Sequence, residues 1–191
     1  MPKSRLERYL DHLDSIFLVE PELFSLDPLE DDGADVICIV YSDIPETDMI
    51  TGLTYGLSEV SHPEWIYSRP ELSITIDSSD IAWPLAIAEM ARNLRGICSF
   101  RYGNVINFGE QISSESDMSG FLIFASAILG AETALGIDLG DEHSVSIAGA
   151  YPIYDSERAV IGEIGIGAFF DHPDFYIYDP QRPLIEAADS C

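Results

Sequence analysis

Leu6, Leu10, Leu13 and Phe17 recur at alternating steps of four and three, the spacing of one helix face. Ser4 and Glu7 stand in capping-box relation ahead of them, so the pattern predicts an amphipathic helix that ends before Pro21. From Pro21 to Asp35 the periodicity stops, and Pro21, Pro28, Gly33 and the acidic run Glu30-Asp31-Asp32 predict an exposed loop. Val36 to Tyr41 is a short β-branched apolar run, and Met49 to Leu57 reads as a second strand interrupted by Gly52 and Gly56. Leu72, Ile74 and Ile76 alternate with Ser73, Thr75 and Asp77, which predicts a third strand with one buried and one wet face. Three successive strands favour antiparallel pairing. Trp83, Ile87, Met90, Leu94 and Ile97 then mark a helix that starts near Pro84, stops at Gly96 and packs across that sheet. Phe121 to Ile128 and Val145 to Tyr154 read as later strands, and Val160, Ile164 and Ala168 give Asp155 to Phe170 helical spacing weakened by three glycines. Strands and helices interleave without a βαβ rhythm or an internal repeat, so the expected class is α+β, a mixed but mostly antiparallel sheet packed by helices.

Composition sharpens this picture. A chain of 191 residues with 47% hydrophobic content can bury a substantial core, and one domain spanning 1–191 is the expectation. No stretch approaches the run of about 20 apolar residues that crosses a bilayer, and Met1-Pro2-Lys3-Ser4-Arg5 leads into a charged amphipathic segment instead of a signal-peptide core. The cytoplasm is the expected compartment. Cys38, Cys98 and Cys191 are odd in number and form no CxxC pair, which argues against a disulfide framework or a thiolate zinc site. The unusual quantity is charge: 34 Asp and Glu against 9 Lys and Arg give a formal net charge of −25. Nucleic acid and anionic lipid would both be repelled, so neither is an expected partner. The charge serves solubility or steers association with a basic protein.

Candidate chemistry is sparse. Cys98 follows a helix, but no local base accompanies it, and a small buried cysteine is the ordinary role. Glu59, His62 and Glu64 are metal-compatible and could be imagined as a hydrolytic set, yet their spacing matches no zinc motif and Pro63 excludes the helix that would align them. Asp27 to Asp35 lacks the ligand spacing of a calcium loop. Gly103 to Gly109 has neither a dinucleotide fingerprint nor a Walker lysine, so its glycines are read as turns around a short strand, and Ser113 to Ser119 as a connection. No cofactor, no metal and no catalytic residue is expected.

Taken in order, Thr54-Tyr55-Gly56-Leu57-Ser58-Glu59-Val60, His62-Pro63-Glu64-Trp65 and Arg69-Pro70-Glu71-Leu72 precede the tryptophan-bearing helix. Tyr102-Gly103-Asn104, Asn107-Phe108-Gly109-Glu110, Phe121-Leu122-Ile123-Phe124, Tyr151-Pro152-Ile153-Tyr154 and Glu157-Arg158 follow. This arrangement, from about Ile50 to Arg158, resembles the suppressor of fused-like domain family in its single-domain bacterial form. Animal members carry a further domain and clamp a transcription-factor peptide between the two. Their peptide-binding residues are not carried over, because the second half of that groove is not expected here. The resemblance implies a non-enzymatic protein-binding domain, of the immunity type that neutralises a basic, nuclease-like toxin. The alternative is a regulatory or scaffolding module that takes a peptide by strand addition at an open sheet edge. Contact residues implied by the shared motifs are Glu59, His62, Glu64, Trp65, Tyr102, Asn104, Asn107, Glu110 and Tyr151. Each has an alternative use: Trp65 and Tyr151 can fill the core, and Asn104 and Asn107 can satisfy turn backbone.

Overall fold

A computed structural model describes residues 2–29 and 34–186. The acidic run Glu30-Asp31-Asp32, Gly33 and Cys191 lie outside the described residues. Helix α1 (Arg5–Phe17) opens with the predicted capping box: the Ser4 hydroxyl accepts from the Glu7 N–H, and the Glu7 carboxylate accepts from the Ser4 N–H at 2.6 Å. These bonds satisfy two of the donors that a helix start leaves orphaned. The helix buries Tyr9, Leu13 and Phe17 and leaves Leu6 and Leu10 half-buried, so its inward stripe is rotated toward Tyr9 relative to the leucine pattern.

Seven strands form one sheet: β1 (Glu22–Leu26), β2 (Val36–Ser42), β3 (Ile50–Tyr55), β4 (Ser68–Ile76), β5 (Val105–Asn107), β6 (Gly120–Ala125) and β7 (Ser144–Ile153). Their order is β1-β2-β3-β4-β7-β6-β5, and every neighbouring pair is antiparallel except β4 and β7. The α+β class and the antiparallel pairing of the first predicted strands are both as expected. Strand β1 corrects the loop expected over Pro21 to Asp35. Its five residues pair with β2, from Glu22 opposite Val40 to Leu26 opposite Val36, at a sheet edge where only one side needs apolar support. An edge strand lacks the continuous apolar signature that marks a central one.

Strand β4 corrects a second expectation. Ser73 and Thr75 are buried along with Leu72, Ile74 and Ile76, and only Asp77, past the strand end, is exposed. The polar face of the alternation is internal because its hydroxyls pair: Thr51 Oγ1 lies 2.9 Å from Thr75 Oγ1, and Ser73 Oγ donates to Ser126 Oγ. Small hydroxyl side chains can be buried at little cost when they satisfy one another.

Both faces of the sheet are therefore covered. Helix α2 (Ala82–Leu94) lays Trp83, Ile87 and Met90 on Val36, Cys38, Val40, Leu72, Ile74 and Ile76. Gly52 permits this approach, since a Cβ there would stand 2.3 Å from the Pro84 Cβ. Ile97 lies beyond the helix and is exposed, outside the predicted apolar stripe. On the opposite face α1 packs on Ile39, Tyr41, Leu53 and Tyr55. Farther along that face, α4 (Glu157–Ile164) and α5 (Ile166–Phe170) cover Leu122, Tyr151 and Ile153, while a short helix, α3 (Ala131–Ala134), precedes β7. The single helix expected over Asp155 to Phe170 is broken at Gly165, whose φ of 83° is outside the helical region. No helix among the described residues is long and apolar enough to cross a membrane.

Candidate functional site

The motif residues divide between a buried node and an exposed groove. At the node, the fully buried Glu71 of β4 accepts four hydrogen bonds: from Thr54 Oγ1 at 2.6 Å, from the Gly56 and Ser58 N–H groups at 3.0 Å each, and from Ser58 Oγ at 2.5 Å. Gly56 and Ser58 belong to the 3-10 turn Leu57–Glu59 and its N-terminal cap. Thr54 Oγ1 in turn accepts from the Leu72 N–H, so the turn is tied to β4 from both sides. Burial pushes the Glu71 carboxyl above its ordinary range, and the donors from Ser58, Thr54 and Gly56 pull the other way. Arg5 completes the node from α1, donating to Ser58 Oγ at 2.6 Å and to Asp141 at 2.6 Å while lying over the Tyr55 ring. Glu59 belongs here: it accepts from the Tyr55 hydroxyl at 2.7 Å and faces Arg5 at 3.8 Å.

The chain leaves this node through His62 to Trp65 and forms the second region. Trp65 is buried, and its indole N–H donates to the Ser99 carbonyl at 2.7 Å. The His62 ring packs on it at 5.4 Å between centroids. His62 Nδ1 accepts from the Glu64 N–H and Nε2 lies 3.3 Å from the Ile97 carbonyl, which selects the Nε2–H tautomer and occupies both ring nitrogens. Glu64 pairs with Arg101 at 3.2 Å. Glu64, Trp65, Pro70, Phe100, Tyr102 and Leu135 line a groove of about 320 Å³ at the start of the parallel β4 and β7 pair. Asn104 shapes its rim by accepting from the Arg101 N–H at 2.8 Å and from Ser99 Oγ.

Tyr102 and Leu135 of its lining are exposed, and so are four apolar side chains nearby, Ile66, Tyr67, Ile97 and Phe124. Each is joined to it by a contact or by the chain. Tyr102 stacks on Phe124 at 5.4 Å, Ile97 receives His62, and Ile66 and Tyr67 connect Trp65 to β4. Tyr102 is 50% exposed, an orientation that leaves much of one ring open for a partner.

The nine candidate residues therefore do not form one set. His62, Glu64, Trp65, Tyr102 and Asn104 come together at the groove. Glu59 faces Tyr55 in the layer beneath α1, whereas Trp65 packs in the layer beneath α2. Asn107 accepts from the Gly109 N–H in a tight turn, and Glu110 is exposed next to it. Tyr151 is buried beneath α5, its hydroxyl donating to the Ala125 carbonyl at 2.6 Å and its ring edge-on to Phe170, which packs on the same Phe124 that Tyr102 covers. Sequence reasoning did not single out Phe100 and Leu135, which complete the groove, or Arg5 and Glu71, which hold the turn leading into it. A charged residue flanked by Pro70 and Leu72 inside an apolar strand was the available signal for Glu71. No comparable signal marks Arg5.

Among the described residues no cluster of three or more His, Cys, Asp or Glu could hold a metal ion. Burial pushes the Cys38 thiol up to about 12 and raises that of Cys98 as well, which keeps both in the unreactive thiol form.

The sequence model of the suppressor of fused protein family matches residues 30–183. Two solved structures share the fold. A suppressor of fused homologue from Neisseria gonorrhoeae FA 1090 superposes with a TM-score of 0.75 at 17% identity, covering 95% of this chain and 97% of that one. A chain of the Sufu-Fu complex superposes with a TM-score of 0.68 at 14% identity, covering 96% of this chain and 93% of that one. No curated protein matches the sequence.

Proposed function

From the premise that this chain belongs to the suppressor of fused protein family, we propose that it is a non-enzymatic protein-binding domain whose Trp65–Tyr102 groove docks a basic toxin domain and blocks it. The observation that carries this reading is a preformed groove with Trp65 and Phe100 in its wall and Tyr102 and Leu135 exposed along it, on a chain whose net charge is −25. Aromatic anchors over an apolar floor supply affinity, and long-range negative charge accelerates encounter with a basic partner. One solved structure of this fold is a chain of the Sufu-Fu complex, which fits a binding role for the fold. The engagement of both His62 nitrogens supports a role in shaping the groove over one in proton transfer.

Co-expression with a toxin domain encoded beside it tests the proposal. Growth is expected to be restored by the native chain and not by Tyr102→Ala, with purified complex forming in the first case only. Failure of the native chain to bind or protect sinks the toxin reading. A second reading, a regulatory module that pairs with a peptide, is favoured by the open sheet: β1 and β5 each have one neighbour, and no other strand of the described residues pairs with their outer edges. A partner that Tyr102→Ala leaves bound but that a change at an edge strand releases distinguishes it, because strand addition runs through the edge backbone and not through the groove.

A further inference from the structure

A second groove, of about 460 Å³, lies between α1 and the edge strand β1. Leu10, Leu18, Val19, Pro21 and Leu23 form its apolar lining, and Leu18, Val19 and Leu23 are exposed at 82%, 44% and 49%. Asp14 and Glu20 are its only charged lining residues, and Glu22 stands exposed at the start of β1. The groove therefore joins three features: an unpaired strand edge, large exposed apolar side chains and one sign of charge.

We infer that the β1 edge and its groove dock an extended cationic segment of a partner protein, which adds as a strand beside β1 with its apolar side chains against Leu23 on the groove face and its basic ones toward Glu22 on the other, at an edge that Asp14 and Glu20 also make negative. The inference deepens the strand-addition reading by naming the edge and the chemistry of the segment. Alternation follows from the strand itself: residues two apart share a face, so a segment here presents one set of side chains to the groove and the other to the opposite face. Leu23 lies opposite Ile39 on the face covered by α1, while Phe24 lies opposite Cys38 on the face covered by α2. A second copy of this chain is the poorer occupant. Pairing two β1 edges would bring Asp14, Glu20 and Glu22 of both copies to one seam, between molecules that each carry a net charge of −25. At β5 the edge strand has only three residues, with Glu110 beyond it.

Selection of random dodecapeptides on the full chain tests this, followed by mapping of the selected peptides by amide chemical shifts. The expected binders alternate Lys or Arg with Val, Ile or Leu and shift the amides of residues 18–26. Leu23→Arg, a change at a half-exposed position, is expected to lower their affinity at least tenfold. Ser156→Arg adds the same charge at an exposed site outside the groove and is expected to leave affinity within twofold. Thermal melts of the two variants confirm an intact fold. The inference is overturned if selection gives no binders, if binders lack the basic and apolar alternation, if shifts map elsewhere, if both arginine variants weaken binding equally, or if the chain dimerises through β1. A toxin neutralised equally by native and Leu23→Arg protein, with no peptide docking at β1, leaves the proposed function standing and removes this inference. Peptides that dock at β1 without any toxin partner do the reverse.

Discussion

Two carboxylates are fully buried among the described residues, Glu71 and Glu157, and they are accommodated in different ways. Glu71 has no cation in contact. Two hydroxyls and two backbone N–H groups solvate it, all from residues 54–58, with Arg5 reaching the set only through Ser58. Glu157 instead meets Arg182 in a two-pronged pair, with both N···O distances 2.6 Å, and also accepts from the N–H groups of Tyr154 and Ile185. Arg182 packs over the Phe175 ring at 4.8 Å and donates to the Pro152 and Pro183 carbonyls. The first arrangement fixes a turn beside the candidate groove. The second fastens the segment after α5 to the end of β7. The difference teaches that a buried charge can be held by polar groups from one short motif or by a distant opposite charge, and that only the latter depends on two far-separated positions at once.

The largest expected effect breaks the second arrangement. Arg182→Ala leaves Glu157 as an uncompensated buried charge, for a cost of about 3–5 kcal/mol in urea unfolding. Replacing both partners together, as Glu157→Gln with Arg182→Met, is expected to cost less than the single change, because no charge is then left alone. A double variant at least as unstable as Arg182→Ala would show that packing around the guanidinium, and not charge pairing, sets the stability of this segment.

The next effect concerns Glu71. Glu71→Gln keeps an acceptor for the turn N–H groups but turns an amide N–H₂ toward a hydroxyl that already donates, for a cost of about 1–3 kcal/mol. Its pH dependence has a definite sign. Burial raises the folded-state value, so between the ordinary glutamate range and that raised value the folded chain holds a proton that the unfolded chain has released. Stability therefore falls as pH rises through that window, and the contribution is fully present below the unfolded value. The advantage of the native chain over Glu71→Gln is expected to shrink across the same window, as read from urea midpoints at a series of pH values. An advantage that grows with pH would mean that the four donors outweigh burial.

These two nodes also explain what could be read in the sequence. Thr54, Gly56, Ser58 and Glu71 fall inside the motifs that carried the family resemblance, so that resemblance recorded a buried hydrogen-bond set as well as a surface. The helix over Trp83 was legible because its apolar spacing and its stop at Gly96 agree with the packing that the sheet demands. Strand β1 was not, because Glu22, Leu23 and Ser25 are exposed at an edge and leave no alternating apolar pattern. Arg182 was invisible for another reason: its partner lies 25 residues away, and no local rule links Glu157 to a single arginine followed by proline. At the groove, Trp65 and Tyr102 stood out as aromatic motif residues, whereas Leu135 arrives from the segment between β6 and β7 and could be placed only by the fold.

A smaller effect tests the helix that carries Arg5 into the first node. Ser4→Ala removes the side-chain half of the capping box and is expected to cost about 1 kcal/mol. The backbone and side-chain bonds to Ser4 hold Glu7 below the ordinary glutamate range. A lowered folded-state value gives stability that is present above the unfolded value and lost as pH falls through the folded one, so the two carboxylates should respond to pH with opposite slopes. Midpoints for Glu7→Gln and native chain are expected to converge in acid, and parallel curves would remove the carboxylate half of the capping box from the account.

The smallest effect on stability belongs to the residue with the largest expected effect on binding. Tyr102 is half exposed and stacks on Phe124, which is itself 37% exposed, so Tyr102→Ala should change unfolding free energy by no more than about 0.5–1 kcal/mol. Tyr151→Phe is its counterpart in the core: it strands the Ala125 carbonyl that accepts the hydroxyl at 2.6 Å, and should destabilise by about 1–2 kcal/mol without altering a partner's affinity. The two tyrosines entered as equal contact candidates, and this pair of measurements separates them. If Tyr102→Ala unfolds the chain as readily as Tyr151→Phe while leaving binding intact, the groove is part of the scaffold, and the partner surface must be sought at the β1 edge instead.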